Sequence, residues 1–218
     1  MTSFPNSPRL LKGGIVVLDP ATSTVERVIT LQYNPDTLSR SFQIKARGEG
    51  GDRSEALRLT GPPVESVKLD AEIDATDQLE FPEQNATVAE LGIHAHLAAL
   101  ETLVYPTTNQ IEANRRLARS GALEIAPMES PLTLFVWSKN RVMPVRLTEF
   151  SVTEEAFDPA LNPIRAKVSL GLRVLSVNDL NFDHKGSSIY LAYQQQKERL
   201  AALYHGGPLS GLGVTKIP

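Results

Sequence analysis

The chain has 218 residues, of which 41% are hydrophobic and 22% charged, which is enough for one sizeable β-rich domain with an appendage or for two small domains. Its formal net charge of −3 provides no overall basic field for nucleic acid or anionic lipid, and the absence of cysteine excludes disulfides, thiolate metal sites and a cysteine nucleophile. The first residues show no charged stretch followed by an apolar run, and no segment approaches the roughly 20 apolar residues that span a bilayer, so neither a secretory signal nor a transmembrane helix is expected.

Strands are the main prediction for the first third of the chain. They are predicted at Gly14–Leu18 and at residues 25–33, 38–45 and 67–74. In the last two segments apolar and polar residues alternate, which indicates one buried and one wet face. In residues 38–45 the apolar face consists of Leu38, Phe42 and Ile44. Residues 46–63 are rich in glycine and charge and predict a long loop, a kind of segment that is usually functional or disordered.

The middle of the chain predicts two helices. Thr87 and Glu90 fit a capping box at the start of the first helix. The apolar stripe that follows consists of Ile93, Leu97, Leu100 and Val104. This helix is expected to end at Tyr105, because proline disfavours helical geometry in the residue before it. Thr107 and Gln110 fit a second capping box and predict a shorter helix through about residue 120.

Three further strands are predicted, at residues 132–137, 143–154 and 165–174. In the second of these, Val145 and Leu147 are in phase with each other, but Phe150 and Val152 are shifted by one position. This slip predicts a β-bulge or bend near Thr148-Glu149, as strongly coiled sheets require.

The strand pattern stops after residue 176. Residues 178–188 predict a linker, residues 189–204 predict an amphipathic helix isolated beyond it, and residues 206–218 predict a mobile tail. The predicted division is a β domain at residues 1–177, with inserted helices at about 87–120, and a C-terminal unit at residues 178–218.

No pattern for catalysis, metal binding or cofactor binding is found in the sequence. His94 and His96 lie two apart on a predicted helix and point to nearly opposite sides, so they are not expected to share a metal. The carboxylates of Asp70, Glu72, Asp74 and Asp77 follow a strand pattern rather than a calcium-binding turn. The glycine-rich residues 48–51 lack the spacing of a phosphate-binding loop, and no serine lies in a nucleophile elbow. We therefore expect no enzyme, no cofactor and no metal.

Two stretches carry a family resemblance. In the first, residues 31–41 run from a strand through the turn Asn34-Pro35 into another strand. In the second, a strand that ends in Trp137 precedes the strand 144–154, a Phe-Asp-Pro loop at 157–159 and the Arg-Ala-Lys-Val-Ser-Leu strand at 165–170. Each motif alone is common in β-sheets, but their order and spacing over roughly residues 9–178 resemble the hub–tube connector family of contractile injection systems, the phage-tail-like particles of bacteria.

The resemblance implies a β-rich α+β fold, namely a tail-tube-like antiparallel β-barrel or sandwich with one or two flanking helices and a C-terminal extension helix. It also implies a homo-oligomeric sixfold ring that joins the spike-bearing hub to the inner tube and touches baseplate wedge proteins, with no nucleic acid and no membrane insertion. Such a protein is expected in the bacterial cytoplasm during particle assembly and outside the cell in a released particle. Many members of the family add a C-terminal LysM module, which this sequence does not show, so we expect the helix at 189–204 to dock onto a neighbouring subunit instead.

Ring subunits require edge strands and loops that reach other chains. The candidate interface residues therefore come from the Asn-Pro turn, the long loop, the basic face of the second helix and the C-terminal helix. They are Tyr33, Asn34, Pro35, Arg47, Arg53, Arg58, Arg115, Arg116, Arg119, Ile189, Tyr193, Leu200 and Tyr204. For the three arginines of the second helix, a merely solvated face is the simpler interpretation, and nucleic-acid binding is disfavoured because no aromatic residues are interleaved.

Other functions stay open at this level. One is an inner-tube, tube-initiator or tail-terminator subunit of the same machine or of a phage tail. Another is a carbohydrate- or peptidoglycan-binding β-sandwich, which would be expected to display clustered surface aromatics. Here the single tryptophan and five tyrosines are spread along the chain, and Trp137 lies in an apolar run that predicts burial. An enzyme is the last alternative.

Overall fold

The computed structural model describes residues 10–19, 22–46, 58–121 and 130–217. Within these ranges the chain forms one seven-stranded sheet and five α-helices. The strands are β1 (Gly14–Leu18), β2 (Val25–Thr30), β3 (Leu38–Gln43), β4 (Val64–Asp74), β5 (Leu132–Val136), β6 (Val142–Phe157) and β7 (Pro163–Val174). The helices are α1 (Thr76–Leu79), α2 (Ala86–Leu91), α3 (His94–Glu101), α4 (Thr108–Arg119) and α5 (Lys185–Ala202), and a 3₁₀ turn follows at Leu209–Leu212.

All neighbouring strands of the sheet are antiparallel, in the order β2-β1-β5-β6-β7-β4-β3. The fold is therefore a β-rich α+β fold, as predicted. The hairpin of β6 and β7 forms the most extended pairing and lies at the centre of the sheet. The strand order leaves β2 and β3 as the two edges of the sheet.

Alternation in β4 and β7 separates two faces of the sheet. On the covered face, apolar side chains pack against α3, α5 and neighbouring strands, and this burial is the main source of stability. Its buried residues on the two strands are Val67, Leu69, Ala71, Ile73, Ala166, Val168, Leu170, Leu172 and Val174. The open face carries polar residues and cross-strand ion pairs, such as Lys68 with Glu149 at 2.7 Å and Lys167 with Glu155 at 3.0 Å.

The side chain of Gln32 joins distant parts of the sheet. Its Nε2 donates a hydrogen bond to the carbonyl of Asp74 at 2.5 Å, and its Oε1 accepts one from the Asp74 N–H at 2.9 Å. Gln32 follows β2, whereas Asp74 ends β4, and these strands are separated by about 24 Å in a flat sheet with roughly 4.8 Å between strands. The sheet must therefore curl until the exit from β2 meets the end of β4.

The predicted irregularity in β6 is a β-bulge at Thr148. The register between β6 and β7 shifts between Leu147 and Glu149, which oppose Leu172 and Gly171. A Cβ on Gly171 would lie 2.7 Å from the Cβ of Glu149, so the bulge requires glycine on the partner strand. The prediction of a bulge near this position is confirmed.

The single helix predicted from residue 87 to residue 105 is wrong in its extent. Two separate helices, α2 and α3, occupy the segment, and the break lies at Gly92, whose φ is +57°. A Cβ at this position would lie 2.3 Å from the carbonyl oxygen of Pro163, so the strand end packs directly against the break. The helical part then ends at Glu101 rather than at Tyr105, and Val104 of the predicted stripe is exposed.

The two predicted capping boxes have different outcomes. Thr87 lies inside α2, which begins at Ala86 after Asn85, so the predicted box with Glu90 does not form. At the start of α4, the Thr107 hydroxyl accepts from the Gln110 N–H at 3.3 Å, and the Gln110 side chain accepts from the Thr107 N–H at 2.9 Å. The second box is therefore confirmed.

The apolar face predicted for residues 38–45 is only partly buried. Leu38 packs against the main core, but Phe42 and Ile44 are 47% and 71% exposed. The reason is that β3 is an edge strand, so within the described residues only β4 lies beside it. The prediction of a buried face is wrong for these two residues.

The predicted linker and isolated C-terminal helix are also wrong. Helix α5 begins at Lys185, inside the predicted linker, and its Tyr190 and Tyr193 belong to the main buried cluster. The segment before the helix is held by the carboxylate of Asp179, which accepts hydrogen bonds from the N–H and hydroxyl of Ser176 at 2.9 and 2.8 Å. Helix α5 is thus packed on the sheet of its own chain.

Most of the predicted loop at residues 46–63 lies outside the described residues. Its two ends are joined, because Ala46 and Leu59 form a β-bridge and the N–H of Thr60 donates to the carbonyl of Lys45 at 2.9 Å. No helix in the described part of the chain is both long and apolar enough to cross a bilayer.

Candidate assembly surface

The two edges of the sheet expose apolar side chains. On β2, Val25 and Val28 are 60% and 58% exposed, and on β3 the exposed apolar residue is Phe42. Within the described residues, neither edge strand has a second neighbour. An edge strand presents unpaired N–H and C=O groups, and apolar side chains beside them favour pairing with another chain.

The Asn-Pro turn lies between these two strands. The Asn34 side chain accepts a hydrogen bond from the N–H of Gly13 at 2.9 Å and donates one to the carbonyl of Leu11 at 2.8 Å. It therefore fixes the chain that enters β1 and has a local structural role. Of the other two predicted interface residues of this turn, Tyr33 is exposed and Pro35 is half-buried.

Helix α4 stands apart from the packed body. None of its residues is buried, and its apolar Ile111 and Leu117 are exposed. The three predicted interface arginines are exposed on it, and within the described residues none of them pairs with a carboxylate: Arg115, Arg116 and Arg119. Of the three loop arginines predicted for the interface, Arg58 is exposed, whereas Arg47 and Arg53 lie outside the described residues.

Helix α5 divides the predicted C-terminal contacts into two groups. Tyr193 is only 3% exposed and Ile189 packs against a second buried cluster on β1 and β5, so both serve this chain's own core rather than a surface. Leu200 and Tyr204 are exposed. The segment after α5 also has exposed apolar side chains, namely Leu203, Leu209, Leu212, Val214 and Ile217.

Beneath α5 lies a buried charge network that the sequence interpretation missed. Glu65 on β4 is 3% exposed, and its Oε1 accepts from Arg40 Nη2 at 2.6 Å, from Arg40 Nε at 2.9 Å and from the Tyr193 hydroxyl at 3.0 Å. Its Oε2 lies 3.5 Å from Lys197 Nζ. The available signal was the phase of Glu65, which shares the alternation of Val67 on the covered face.

Burial raises the pKa of the Tyr193 hydroxyl well above its ordinary value, and the charge of Glu65 and its hydrogen bond raise it further. The charges of Arg40 and Arg141 act in the opposite direction. Tyr193 therefore stays a neutral hydrogen-bond donor to Glu65, and the network positions α5 against β3 and β4.

Trp137 is half-buried, not fully buried as predicted, and stacks on Phe135 with ring centroids 6.0 Å apart. It borders an open cavity of about 460 Å³ between β3, the turn after β5, and α5. In the part of the chain that the structure describes, no group of three or more histidine and carboxylate side chains is arranged to hold a metal ion.

The described residues form a β-rich domain whose two sheet edges, helix α4 and C-terminal segment are exposed. Residues 14–181 match the family model described as contractile injection system tube protein, and the chain belongs to that family. It is thus a tube-type structural component of a tail-like machine.

Two solved structures are similar to the chain. One is described as the tail of an empty GTA particle computed with helical refinement and C6 symmetry, with a TM-score of 0.29, 11% identity and coverage of 75% of this chain and 90% of that chain. The other is described as the virion of a native gene transfer agent particle, with a TM-score of 0.26, 12% identity and coverage of 75% and 91%. No curated protein sequence matches the chain.

Proposed function

We propose that this protein is a non-catalytic ring subunit that joins the spike-bearing hub of a contractile injection system to its inner tube and touches neighbouring wedge proteins. The observation that carries the proposal is the pair of sheet edges with exposed Val28 on β2 and Phe42 on β3 in a member of the tube protein family. A sixfold ring is part of the proposal. Its subunits assemble in the bacterial cytoplasm and can leave the cell within a released particle.

The strand directions support ring closure. Because seven strands alternate in direction within the described sheet, the two edge strands β2 and β3 run the same way. Rotation about an axis roughly along the strands preserves this direction, so β3 of one copy meets β2 of the next as a parallel pair. Such a head-to-tail interface closes into a ring when the rotation closes. Parallel pairing is slightly less stable per residue than antiparallel pairing. Burial of the apolar side chains beside the two edges would add to the stability of the parallel pair.

The remaining exposed surfaces have assigned roles in this proposal. The exposed end of α5, with Leu200 and Tyr204, and the apolar segment after it contact a neighbouring subunit. The basic face of α4 and the exposed turn at Tyr33 contact proteins outside the ring. Tyr193 and Ile189 are removed from this set because they are packed within the chain.

A charged residue placed on an edge strand is expected to block pairing. The variants Val28→Lys and Phe42→Lys are therefore expected to reduce ring formation with purified spike and tube proteins at least tenfold, measured by sedimentation and electron microscopy. Val104→Lys is the matched control, because Val104 is exposed and apolar but lies on neither edge. Rings that form normally with both edge variants would contradict edge pairing.

An inner-tube subunit is the second candidate, and the description of the family as a tube protein favours it. The same purified chain distinguishes the two functions. Long tubes formed by the chain alone would support the inner-tube function, whereas rings that form only with spike or tube partners would support the connector.

A further inference from the structure

The cavity beside Trp137 is cationic. Three positively charged side chains line it, Arg40 from β3, Arg141 from the turn after β5 and Lys197 from α5. Among the described residues that line the cavity there is no carboxylate. The other lining groups include the hydroxyl of Ser138 and the amide of Asn140, which can donate hydrogen bonds, whereas the Tyr193 hydroxyl already donates to Glu65.

One buried carboxylate lies behind this wall, and it balances only part of the charge. Glu65 engages two guanidinium nitrogens of Arg40 and lies 3.5 Å from the ammonium of Lys197. Arg141 pairs with no carboxylate among the described residues. Three cations and one anion leave two positive charges at a partly enclosed surface, where solvent screens them less than on an open surface.

The turn that carries Arg141 is fixed by backbone hydrogen bonds and by a contact with α5. In the turn, the Trp137 N–H donates to the carbonyl of Arg141 at 2.8 Å, and the Arg141 N–H donates to the carbonyl of Ser138 at 3.2 Å. The side chain of Gln196 on α5 donates to the side-chain oxygen of Asn140 at 3.0 Å. The turn and the helix therefore form one preorganised wall, and binding an anion would require little ordering.

We propose that this cavity is a binding site for an oxyanion. Guanidinium groups match the planar carboxylate and the oxygens of phosphate in geometry, and an anion here would relieve repulsion among the three cations. The oxyanion has two possible sources. One is an acidic side chain of an adjoining subunit, and this source rests on the proposed function. The other is a free inorganic oxyanion.

The test for a free oxyanion uses the intrinsic fluorescence of Trp137, the only tryptophan of the chain. Sodium phosphate is titrated into the full chain, with sodium chloride of equal ionic strength as the reference. A free oxyanion site predicts a saturable change with phosphate alone, with an apparent affinity that falls at least tenfold in Arg141→Gln. Arg146→Gln is the matched control, because Arg146 is an exposed arginine on β6 outside the cavity. Both variants are expected to keep the wild-type melting temperature.

The second arm measures ring formation with spike and tube proteins. A carboxylate of an adjoining subunit predicts no saturable change of fluorescence with phosphate. It also predicts that Arg141→Gln reduces ring formation at least tenfold and that Arg146→Gln does not. This result would support the site with a subunit carboxylate as the oxyanion. The proposed site would be overturned if Arg141→Gln and Arg146→Gln changed phosphate binding and ring formation by the same amounts. It would also be overturned if Arg141→Gln changed neither measurement. If the wild-type chain forms no ring at all, the proposed function fails, whereas the phosphate titration still decides on the site.

Discussion

The covered and open faces of β4 hold charged residues under opposite conditions. On the covered face, Glu65 is nearly inaccessible and is bonded by Arg40 and Tyr193. On the open face of the same strand, Lys68 pairs with Glu149, and both side chains are mostly exposed. A buried carboxylate costs several kcal/mol of desolvation unless it is fully bonded, whereas an exposed ion pair contributes little. The side of the strand, rather than the residue type, therefore decides how much a charge matters to this fold.

The largest expected effect comes from Glu65→Gln. The change keeps the size of the side chain but leaves the guanidinium of Arg40 without its buried counter-charge, so a loss of about 3 kcal/mol in the free energy of unfolding is expected. Urea unfolding at pH 7 measures it. Glu149→Gln on the open face is the matched control, with no measurable change expected. Equal losses in the two variants would remove the distinction between the faces.

Gly92→Ala tests the covered face where α2 meets the end of the β6–β7 hairpin. The backbone has φ +57°, and a Cβ would lie 2.3 Å from the carbonyl oxygen of Pro163. Strain of this kind costs about 1–3 kcal/mol, so the melting temperature is expected to fall by several degrees.

The control for this variant is Gly207→Ala. Nothing lies within 4 Å of a Cβ built at Gly207, so no loss of stability is expected there. If Gly92→Ala unfolded at the wild-type temperature, the junction would have to be free to move away from Pro163.

The strands were predictable because their signal is local. Alternation in residues 67–74 and 165–174 specifies which side chains share a face, and a one-residue slip in β6 shows the bulge at Thr148 directly. The helices were less predictable. The apolar stripe from Ile93 onward suggested one continuous helix, and the contact that breaks it at Gly92 comes from Pro163, far away in sequence.

The charge network was not predictable from local pattern either. Its members, Arg40, Glu65 and Tyr193, come from two strands and the last helix, and only the folded chain brings them together. The same distance in sequence explains why α5 was predicted to be isolated, because an amphipathic pattern does not reveal which surface covers it. The exposure of the three arginines on α4 was predictable, because the capping box that starts this helix is visible in the sequence, and their role in assembly stays a prediction.

A smaller effect is expected when Asp179, which holds the segment before α5, is changed. Burial alone would raise the pKa of this carboxyl, but hydrogen bonds from the N–H and hydroxyl of Ser176 and the nearby Arg173 guanidinium lower it on balance from 3.8. A carboxyl whose pKa is lower in the folded than in the unfolded state stabilises the fold at pH values above its unfolded-state pKa. This contribution is lost as the pH falls through the folded-state pKa.

The variant Asp179→Asn should therefore lose about 1 kcal/mol at pH 7 and show a flatter fall in unfolding free energy between about pH 5 and pH 2 than the wild type. Chemical unfolding at several pH values measures both. Asp183→Asn, at an exposed position nearby, is the control. An acid profile of Asp179→Asn that matched the wild type would mean that this carboxylate does not hold the segment.

The smallest expected effect is that of Lys68→Gln on the open face. Hydrogen bonding to Glu149 raises the pKa of the Lys68 ammonium above its ordinary value of 10.5. Any contribution of this pair to stability is therefore complete below pH 10.5 and is lost only as the pH rises through the raised folded-state pKa. At pH 7 and physiological salt the ion pair is exposed and screened, so no measurable shift in melting temperature is expected. A loss as large as that of Glu65→Gln would contradict the exposure of this face. Unchanged stability with impaired ring formation would instead identify the open face as a contact surface in the assembled particle.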